Sequence, residues 1–352
     1  MDVGLGPMNG AALIDIARRL LADDKGLLAI DESNATCNKR FAAVGIAQTE
    51  EARRRYREMI LTTEGLGECI SGVILYDETI RQARPEGTPF VKVIADAGIV
   101  PGIKVDTGAK DLAGHAGEKV TEGLDGLRVR LAAYHAMGAR FAKWRAVITI
   151  GQDMPTRACI DANAHALARY AALCQEAGIV PVVEPEVVMD GAHTLAASKA
   201  ATESMLRSVF GQLAIQGVQL EGMILKPNMV LPGLACPEQT NLEAVAEATL
   251  ETLRRVVPAE VAGVAFLSGG QSGELASQRL NALNSPRRSP RSDAPWPLTF
   301  SFARAIQQPA LAIWADKGVN RIKAQAALLH RARCNRAARR GQYTPAIEAS
   351  LE

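Results

Sequence analysis

The sequence predicts an α/β fold, a (β/α)8 TIM barrel with an extra N-terminal helix and a C-terminal helical segment. Two observations lead to this fold class. Eight short apolar runs follow one another, and nearly every one precedes a segment with helical spacing, which is typical of a parallel sheet. Polar and charged residues lie inside these runs or at their downstream ends, where such barrels place their sites. They are Asp31, Lys104, Lys143, Arg145, Glu184, Lys226, Ser268 and Arg304.

Seven segments have apolar residues at the three- and four-residue spacing of a helix face. They cover residues 11–24, 49–62, 124–137, 162–177, 199–211, 242–256 and 315–341. Gly178 follows the fourth segment and suits a helix C-terminus. The last segment carries a basic run, which we interpret as a solvated helix face in preference to an anion site. Its members are Arg331, Arg333, Arg336, Arg339 and Arg340.

Short apolar runs between these helices predict the strands. Six of them cover residues 27–30, 72–76, 103–106, 140–150, 179–188 and 223–226, and two more open the strand-to-helix units 263–274 and 297–307. Pro227 ends the sixth strand, because proline has no N–H for a ladder hydrogen bond. Residues 284–297 are rich in Ser, Pro and Arg and predict a loop.

The chain is long enough for two domains, but a single barrel also fits its 352 residues. We predict one barrel domain over residues 1–352, in which 342–352 form a short tail. Apolar residues make up 48% of the chain and charged ones 22%, which excludes a disordered protein. The net charge of +2 gives no electrostatic reason to expect nucleic acid or a membrane surface as partner.

Cysteine spacing and the N-terminus predict a cytoplasmic protein. The six cysteines form no CxxC pair, and a chain of this size needs no disulfide framework, so reduced thiols are expected. Residues 1–10 lack the basic-then-apolar pattern of a signal peptide. No apolar run approaches the ~20 residues that a membrane span requires.

Lys226 is the residue around which the predicted site is organised. It ends a buried strand, so its side chain either reaches solvent along an apolar stem or is held nearly dry. In the dry state its pKa falls, and a neutral amine can attack a ketone to form a Schiff base. Lys104 and Lys143 nearby would disfavour another positive charge and so favour the neutral amine.

Carboxylates accompany the lysines. Glu184 and Glu186 lie two apart in a strand, so both can face one site and shuttle the protons that Schiff-base formation requires. Asp31 fits either a helix cap or a site residue. Lys143 and Arg145 fit either a salt bridge or a functional pair, because charges in a dry run are costly unless paired.

The turn that follows the seventh strand suits an anion. Residues 268–273 read SGGQSG and present backbone N–H groups at a helix start. Arg304 could close a phosphate from the other side. The five histidines are dispersed without the spacing of zinc ligands, so we predict no metal and no cofactor apart from the covalent lysine.

Nine stretches of this chain together resemble one family, class I (Schiff-base) fructose-bisphosphate aldolase. In the family's order they are KGLLAIDES, GVILYDET, GIKVD, FAKWR, VPVVEPE, LEGMILKPNMV, FLSGGQS, PWPLTFSFARA and GQYTP. They span Lys25 to Pro345, nearly the whole chain. The resemblance implies a metal-independent, cytoplasmic homotetramer of glycolysis and gluconeogenesis. Such an enzyme cleaves fructose 1,6-bisphosphate reversibly to dihydroxyacetone phosphate and glyceraldehyde 3-phosphate.

The resemblance also implies roles for individual residues. Lys226 would form the Schiff base, and Glu184 would be the acid and base for its formation. Lys143 and Glu186 would assist, and Asp31 would take the proton of the hydroxyl that becomes a carbonyl as the C–C bond breaks. The expected C1-phosphate set is Ser268, Gly269, Gly270, Ser301 and Arg304, with Arg40 nearby. The expected C6-phosphate set is Ser33, Thr36 and Lys104, with Arg145 lining the same pocket.

Two features depart from the family pattern. Ala303 stands where the family commonly has glycine, and its methyl group could shift the backbone contact with the C1 phosphate. Animal and plant members end in a flexible tail with a terminal tyrosine, whereas no tyrosine follows Tyr343 here. A naturally short tail and a shortened sequence both fit. Without that acid, protonation of the enamine intermediate is expected to be the slow step.

Two other functions compete with this one. A Schiff-base lyase or transaldolase-like enzyme for another ketose would keep Lys226, but two phosphate sets favour a bisphosphate. A scaffold protein that keeps the barrel without catalysis is the second alternative. The intact set of Asp31, Lys143, Glu184 and Lys226 argues against it.

Overall fold

The computed structural model describes residues 10–285 and 294–350. Its strands are β1 (Gly26–Ala29), β2 (Ile70–Leu75), β3 (Val100–Lys104), β4 (Gly108–Asp111), β5 (Lys119–Glu122), β6 (Phe141–Ile148), β7 (Val180–Val187), β8 (Ile224–Leu225), β9 (Gly263–Phe266) and β10 (Leu298–Phe302). Eight of them are parallel and close into a barrel in the order β1-β10-β9-β8-β7-β6-β3-β2. The predicted fold class is therefore confirmed. The other two, β4 and β5, form an antiparallel hairpin that the sequence did not predict.

Helices connect most of the barrel strands. They are α1 (Gly10–Leu21), α2 (Asn34–Ala42), α3 (Glu50–Leu61), α4 (Asp77–Ile80), α5 (Phe90–Asp96), α6 (Leu127–Ala136), α7 (Arg157–Glu176), α8 (Leu195–Ile215), α9 (Leu242–Val256), α10 (Gly273–Leu283), α11 (Arg304–Trp314), α12 (Arg321–Arg339) and α13 (Pro345–Ala349). The extra N-terminal helix is α1, and α12 and α13 form the C-terminal helical segment.

Several helices begin at a residue whose side chain accepts a hydrogen bond from the backbone N–H three positions on. This contact satisfies one of the N–H groups that a helix start leaves without a partner. The capping residues are Ser33, Thr49, Thr156, Thr194, Asn241, Ser272 and Thr344. Ser33 and Ser272 open the helices after two loops that line the candidate site.

The inside of the barrel is apolar at one end. Leu27 of β1, Phe141 of β6 and Val180 of β7 pack there together with Leu13 and Leu20 of α1. Alternate residues of a strand face the same side. The inward-facing positions that follow this apolar layer therefore lie nearer the C-terminal end of each strand. The N-terminal helix thus fills one end of the barrel, and the polar inward positions are left at the other.

The helix predicted over residues 315–341 begins later in the structure, at Arg321. Helix α11 ends at Trp314, and Ala315 and Asp316 have left-handed backbone angles with φ of 44° and 58°. A short 3-10 helix at Gly318–Asn320 then leads into α12. Left-handed backbone angles usually fall on glycine. Because this turn contains alanine and aspartate instead, the sequence does not indicate that the helical structure is interrupted here.

The basic run around α12 is only partly a solvated face, because Arg333 and Arg340 are exposed and the other three arginines are not. Arg331 is buried, and Arg336 and Arg340 form ion pairs with Asp24, in the turn after α1. Arg339 donates hydrogen bonds to backbone carbonyls at the end of α1 and in the turn that follows. The interpretation fails for Arg331, Arg336 and Arg339 because periodicity within one helix carries no information about what packs against it.

Two further predictions differ at their edges. Strand β8 is shorter than expected and ends at Leu225, but the N–H of Lys226 still donates to the carbonyl of Val183, at 2.8 Å. The predicted loop at residues 284–297 falls mostly on residues 286–293, which lie outside the described residues.

Candidate active site

Two adjoining cavities lie at the C-terminal ends of the barrel strands. Their volumes are about 230 Å³ and 570 Å³. Lys226 and Glu184 line both cavities. Every residue that the sequence predicts for the site lines at least one of them, so the barrel brings the whole predicted set together.

Strand register explains which side chains meet. Lys104 of β3 lies opposite Lys143 of β6, and Arg145 of β6 lies opposite Glu184 of β7. Strand β8 adjoins β7, which brings Lys226 beside Glu184. Neighbouring parallel strands therefore bring cationic and anionic groups together around one end of the barrel.

Lys226 is held nearly dry. The residue is 4% exposed, and its Nζ lies 3.1 Å from Oε1 of Glu184. Of the two states considered for this lysine, the structure has the buried one. A side chain that reached solvent along its stem would leave its amine exposed.

Glu184 lies between two lysines. Its other oxygen, Oε2, is 3.2 Å from Nζ of Lys143 but has no hydrogen-bond partner among the described residues, so this contact is an ion pair only. Burial by itself raises the pKa of Glu184, but the positive charges of Lys143, Lys226 and Arg145 outweigh it and lower the pKa below its usual value. The lowered pKa favours the carboxylate form of Glu184.

Asp31 and Lys143 form a pair across the mouth of the barrel. Their Oδ2 and Nζ atoms are 2.8 Å apart. Burial favours the neutral carboxyl, yet the nearby lysines hold the pKa of Asp31 far below its usual range. Burial likewise opposes the charge of Lys143, but Asp31, Glu184 and Asp106 raise its pKa above the usual value. Ser33 caps α2, so the helix-cap interpretation of Asp31 is wrong.

Arg145 and Glu186 form the outer pair of this cluster. The Nε of Arg145 donates to Oε2 of Glu186, in a contact between neighbouring strands. Burial disfavours the charge of Arg145, but Glu186 and other carboxylates raise its pKa above the usual value. The salt-bridge interpretation of Arg145 is therefore correct, and the same side chain lines both cavities.

The two predicted phosphate sets lie largely in different cavities. The smaller cavity is lined by Ser33, Thr36, Lys104 and Arg145. The larger one is lined by Ser268, Gly269, Gly270, Ser301 and Arg304. Arg40 lines both, as do Thr36 and Arg145. Lys226 therefore has a separate group of potential phosphate ligands on each side.

The larger cavity has the features of an anion site. Gly269 and Gly270 have φ angles of 56° and 87°, which side chains other than glycine rarely adopt. A Cβ on Gly270 would lie 3.1 Å from a guanidinium nitrogen of Arg304, so the glycine lets the arginine lie against the turn. The hydroxyl of Ser301 is buried and has no hydrogen-bond partner among the described residues. These groups are available for a ligand.

Ala303 lines both cavities at the start of α11. Its φ is −109°, outside the left-handed region that favours glycine. The effect of its methyl group on a bound phosphate stays a prediction.

Sequence reasoning left two carboxylates out of the predicted site. Asp106 lies 3.3 Å from Lys104 and 4.0 Å from Lys143, and it was identifiable because it follows Lys104 by two positions. Glu32 forms ion pairs with Arg40 and with the buried Arg57. No local pattern points to Glu32, since both partners come from other elements.

Within residues 10–285 and 294–350, one group of side chains has the spacing of metal ligands. It consists of His330, Cys334 and Glu348, in α12 and α13. None of the three lines either cavity, and Arg331 already donates to both oxygens of Glu348. Burial raises the pKa of Cys334 to about 12, which disfavours the thiolate that binds metals.

Comparison with known proteins agrees with this geometry. The family model of class-I fructose-bisphosphate aldolase matches residues 12–352. The chain belongs to the class I fructose-bisphosphate aldolases. It is 54% identical over 332 residues to a probable class 1 aldolase of Xanthomonas campestris, which covers 94% of this chain and 98% of that protein. It is 48% identical over 334 residues to cytosolic fructose-bisphosphate aldolase 5 of Arabidopsis thaliana, over 94% of this chain and 91% of that protein.

A solved aldolase structure has the same fold. The fructose-bisphosphate aldolase of Plasmodium falciparum, solved in complex with TRAP and a small-molecule inhibitor, superposes with a TM-score of 0.92 at 44% identity. The match covers 95% of this chain and 96% of that one. As a class I aldolase the chain is an enzyme, a carbon–carbon lyase. None of the helices described here is long and apolar enough to cross a membrane.

Proposed function

We propose that the chain cleaves fructose 1,6-bisphosphate reversibly, through a Schiff base on Lys226, in glycolysis and gluconeogenesis. The observation that carries this proposal is the position of Lys226, which is buried between two cavities that each have their own cationic groups. A ketose with a phosphate at each end suits this layout, because its carbonyl then lies near the amine. The related proteins carry the name fructose-bisphosphate aldolase.

Schiff-base formation uses Glu184. The amine of Lys226 passes a proton to Oε1 of Glu184, 3.1 Å away, and the neutral nitrogen attacks C2 of the sugar. The resulting carbinolamine loses its hydroxyl as water when Glu184 returns that proton. Lys143 keeps Glu184 ionised beforehand, so that it can accept the proton first.

Cleavage uses Asp31. Its carboxylate accepts the proton of the C4 hydroxyl, the C4 oxygen becomes a carbonyl, and the C3–C4 electron pair moves into the iminium to form an enamine. Glyceraldehyde 3-phosphate leaves, C3 of the enamine takes a proton, and water hydrolyses the iminium to release dihydroxyacetone phosphate. Lys143, 2.8 Å from Asp31, keeps this carboxylate ionised for its part in the step.

Each phosphate is proposed to occupy one cavity. The C1 phosphate would lie in the larger one, on the turn that includes Gly269 and Gly270, with Ser301 and Arg304 as donors. The C6 phosphate would lie in the smaller one, near Ser33, Thr36 and Lys104. Arg40 and Arg145 line both cavities and would contribute positive charge to each.

The remaining proposals concern the whole protein. We propose that residues 1–352 act as one aldolase domain, and that the enzyme is a cytoplasmic homotetramer without a metal cofactor. All six cysteines are free and buried, which suits a reducing compartment. Large apolar side chains are exposed at several surface positions and suit contacts between subunits. They include Val129, Ile215, Leu234, Val319 and Ile322.

Borohydride trapping tests the proposed chemistry. Reduction in the presence of dihydroxyacetone phosphate is expected to attach a three-carbon phosphate adduct to Lys226 and to abolish turnover, while EDTA leaves turnover unchanged. Peptide mass spectrometry identifies the labelled lysine. An adduct on Lys143, or inhibition by EDTA, would refute the mechanism.

A further inference from the structure

Arg331 connects the C-terminal helix to the helix that follows the phosphate turn. Its NH1 donates to both carboxylate oxygens of Glu348 in α13. Its NH2 donates to the carbonyl of Gly273, at 2.6 Å, and to Oγ of Ser277, at 2.7 Å, both in α10. The residue is 4% exposed. One buried guanidinium therefore contacts two helices through residues that are more than seventy positions apart in the sequence, Ser277 and Glu348.

The contact on α10 lies at its first residue. Gly273 directly follows the cap Ser272, and residues 268–271 form the glycine-rich turn of the larger cavity. A Cβ on Gly273 would lie 2.7 Å from the carbonyl oxygen of Ala305 and 3.0 Å from Nε of Arg331. The start of α10 thus lies directly against Arg331 and against the start of α11, the helix that opens with Arg304.

The other end of the turn is attached to the catalytic strand. The N–H of Leu267 donates to the carbonyl of Pro227, the residue after Lys226, at 3.1 Å. Between these two attachments the turn carries two glycines with left-handed angles, and its own internal bond runs from the N–H of Gln271 to the carbonyl of Ser268. Its position therefore depends on what holds its two ends and on the hydrogen bond that Arg279 donates to Oε1 of Gln271, at 2.9 Å.

Glu348 is itself held at this junction. Its Oε2 accepts a hydrogen bond from the hydroxyl of Tyr343, at 2.5 Å, in addition to the bonds from Arg331. Burial favours the neutral form of Glu348, but hydrogen bonds from Tyr343 and Arg331 lower its pKa below the usual value. The five-residue helix α13 is too short to be stable alone, so these contacts determine where it lies.

We propose that Arg331 is a positioning residue for the C1-phosphate turn and that Glu348 links its position to the C-terminal helix. Arg331 does not line either cavity, so its proposed effect on the phosphate is indirect. It holds the first turn of α10, so that the N–H groups of Gly269 and Gly270 face the cavity before a phosphate arrives. Preorganised donors bind an anion more tightly than donors that must first be ordered. Displacement of α13 would then weaken phosphate binding at a distance.

The inference rests on the proposed function, and its test separates the two. The variants are Arg331→Lys and Glu348→Gln, with Arg333→Lys as matched control, because Arg333 is an exposed arginine of the same helix. Lysine keeps the charge of Arg331 but lacks the planar guanidinium group whose separate N–H groups donate to both helices. Fructose 1-phosphate serves as substrate, since it has only the C1 phosphate, and inorganic phosphate serves as competing anion.

For Arg331→Lys we expect KM for fructose 1-phosphate and the inhibition constant of inorganic phosphate to rise together, by about 3- to 10-fold, the range for one ordinary hydrogen bond. We also count the active sites of each variant, as the fraction of protein whose Lys226 is trapped by borohydride. Divided by that fraction, kcat should stay within about twofold of the wild-type value, as expected for a change in binding alone. Glu348→Gln should shift both constants in the same direction, and hydrogen exchange of the α13 amides should rise. Arg333→Lys should match the wild-type protein.

If Arg331→Lys lowers only the melting temperature and the fraction of protein that borohydride traps at Lys226, with KM unchanged, Arg331 has only a structural role. That result would overturn the proposal. Equal constants for Arg331→Lys and Arg333→Lys would do the same. Wild-type constants in Glu348→Gln would refute the link to α13. Absence of wild-type turnover would refute the proposed function instead, and calorimetric titration with inorganic phosphate would still measure the effect of Arg331→Lys.

Discussion

Replacing Lys104 by alanine tests whether the two cavities hold different phosphates. Lys104 lines the smaller cavity, whereas Arg304 lines the larger one. If the smaller cavity takes the C6 phosphate, the variant loses a contact that only the bisphosphate makes. We expect kcat/KM for fructose 1,6-bisphosphate to fall, while kcat/KM for fructose 1-phosphate stays near the wild-type value.

The magnitude follows from the surroundings of Lys104. A charge-assisted hydrogen bond contributes about 1.5–3 kcal/mol, or roughly 10- to 150-fold in kcat/KM. The lower part of this range is expected, because the side chain is 17% exposed and Arg145 keeps a positive charge in the same cavity. Asp106 retains Lys143 at 4.0 Å and the N–H of Arg145 at 3.3 Å, so the substitution does not leave it without a partner.

The assay couples product formation to NADH oxidation with each substrate in turn. Lys92→Ala is the matched control, because Lys92 also forms an ion pair with an aspartate, Asp96, but on the exposed face of α5. Arg304→Ala is expected to lower kcat/KM for both substrates, because both carry the C1 phosphate.

Two outcomes would refute this reasoning. Equal losses on both substrates in Lys104→Ala would mean that the cavities are assigned in reverse or that Lys104 acts on the chemistry. No loss on either substrate would mean that Lys104 makes no productive phosphate contact. Losses in Lys92→Ala of the same size would point to a general effect of removing surface charge.

Three other changes have defined outcomes. Glu184→Gln should lower kcat by about 10²- to 10⁴-fold and slow borohydride trapping, since it removes the proton carrier of Schiff-base formation; rapid trapping would contradict this. Burial alone would raise the pKa of Asp31, but the lysines lower it, so its stabilisation is present above about pH 4 and is lost as the pH falls. Urea unfolding should therefore show a smaller loss of stability between pH 7 and pH 3 in Asp31→Asn than in the wild-type protein. Gly102→Ala should destabilise by about 1–3 kcal/mol, because its Cβ would lie 2.3 Å from the ring of Phe141, whereas Gly211→Ala, with no atom within 4 Å, should not.

Much of the site could be predicted from the sequence because strands have a period of two. Lys143, Arg145 and the pair Glu184 and Glu186 all occupy alternate positions of apolar runs, and the structure places all four around the cavities. The same rule applied to Lys104 would have added Asp106. Their pairing partners could not be predicted, because neighbours in the barrel come from strands far apart in the chain.

The errors fall where long-range contacts decide. The basic run of α12 looked solvated because nothing within the helix shows that Asp24 and Glu348 pack against it. The last helix was predicted to begin too early, at Ala315, because the left-handed turn at Ala315 and Asp316 contains no glycine. Glu32 was missed because its partners, Arg40 and Arg57, belong to two other helices.

The sequence by itself determined the order of strands and helices, the residues at the strand ends and the resemblance to class I aldolases. These follow from local periodicity and from motifs, which are properties of neighbouring residues. Only the tertiary structure decided that Lys226 is buried, that the two predicted phosphate sets lie largely in different cavities, and that Arg331 joins α13 to α10. Burial and pairing depend on which distant segments meet, and barrel closure sets those contacts.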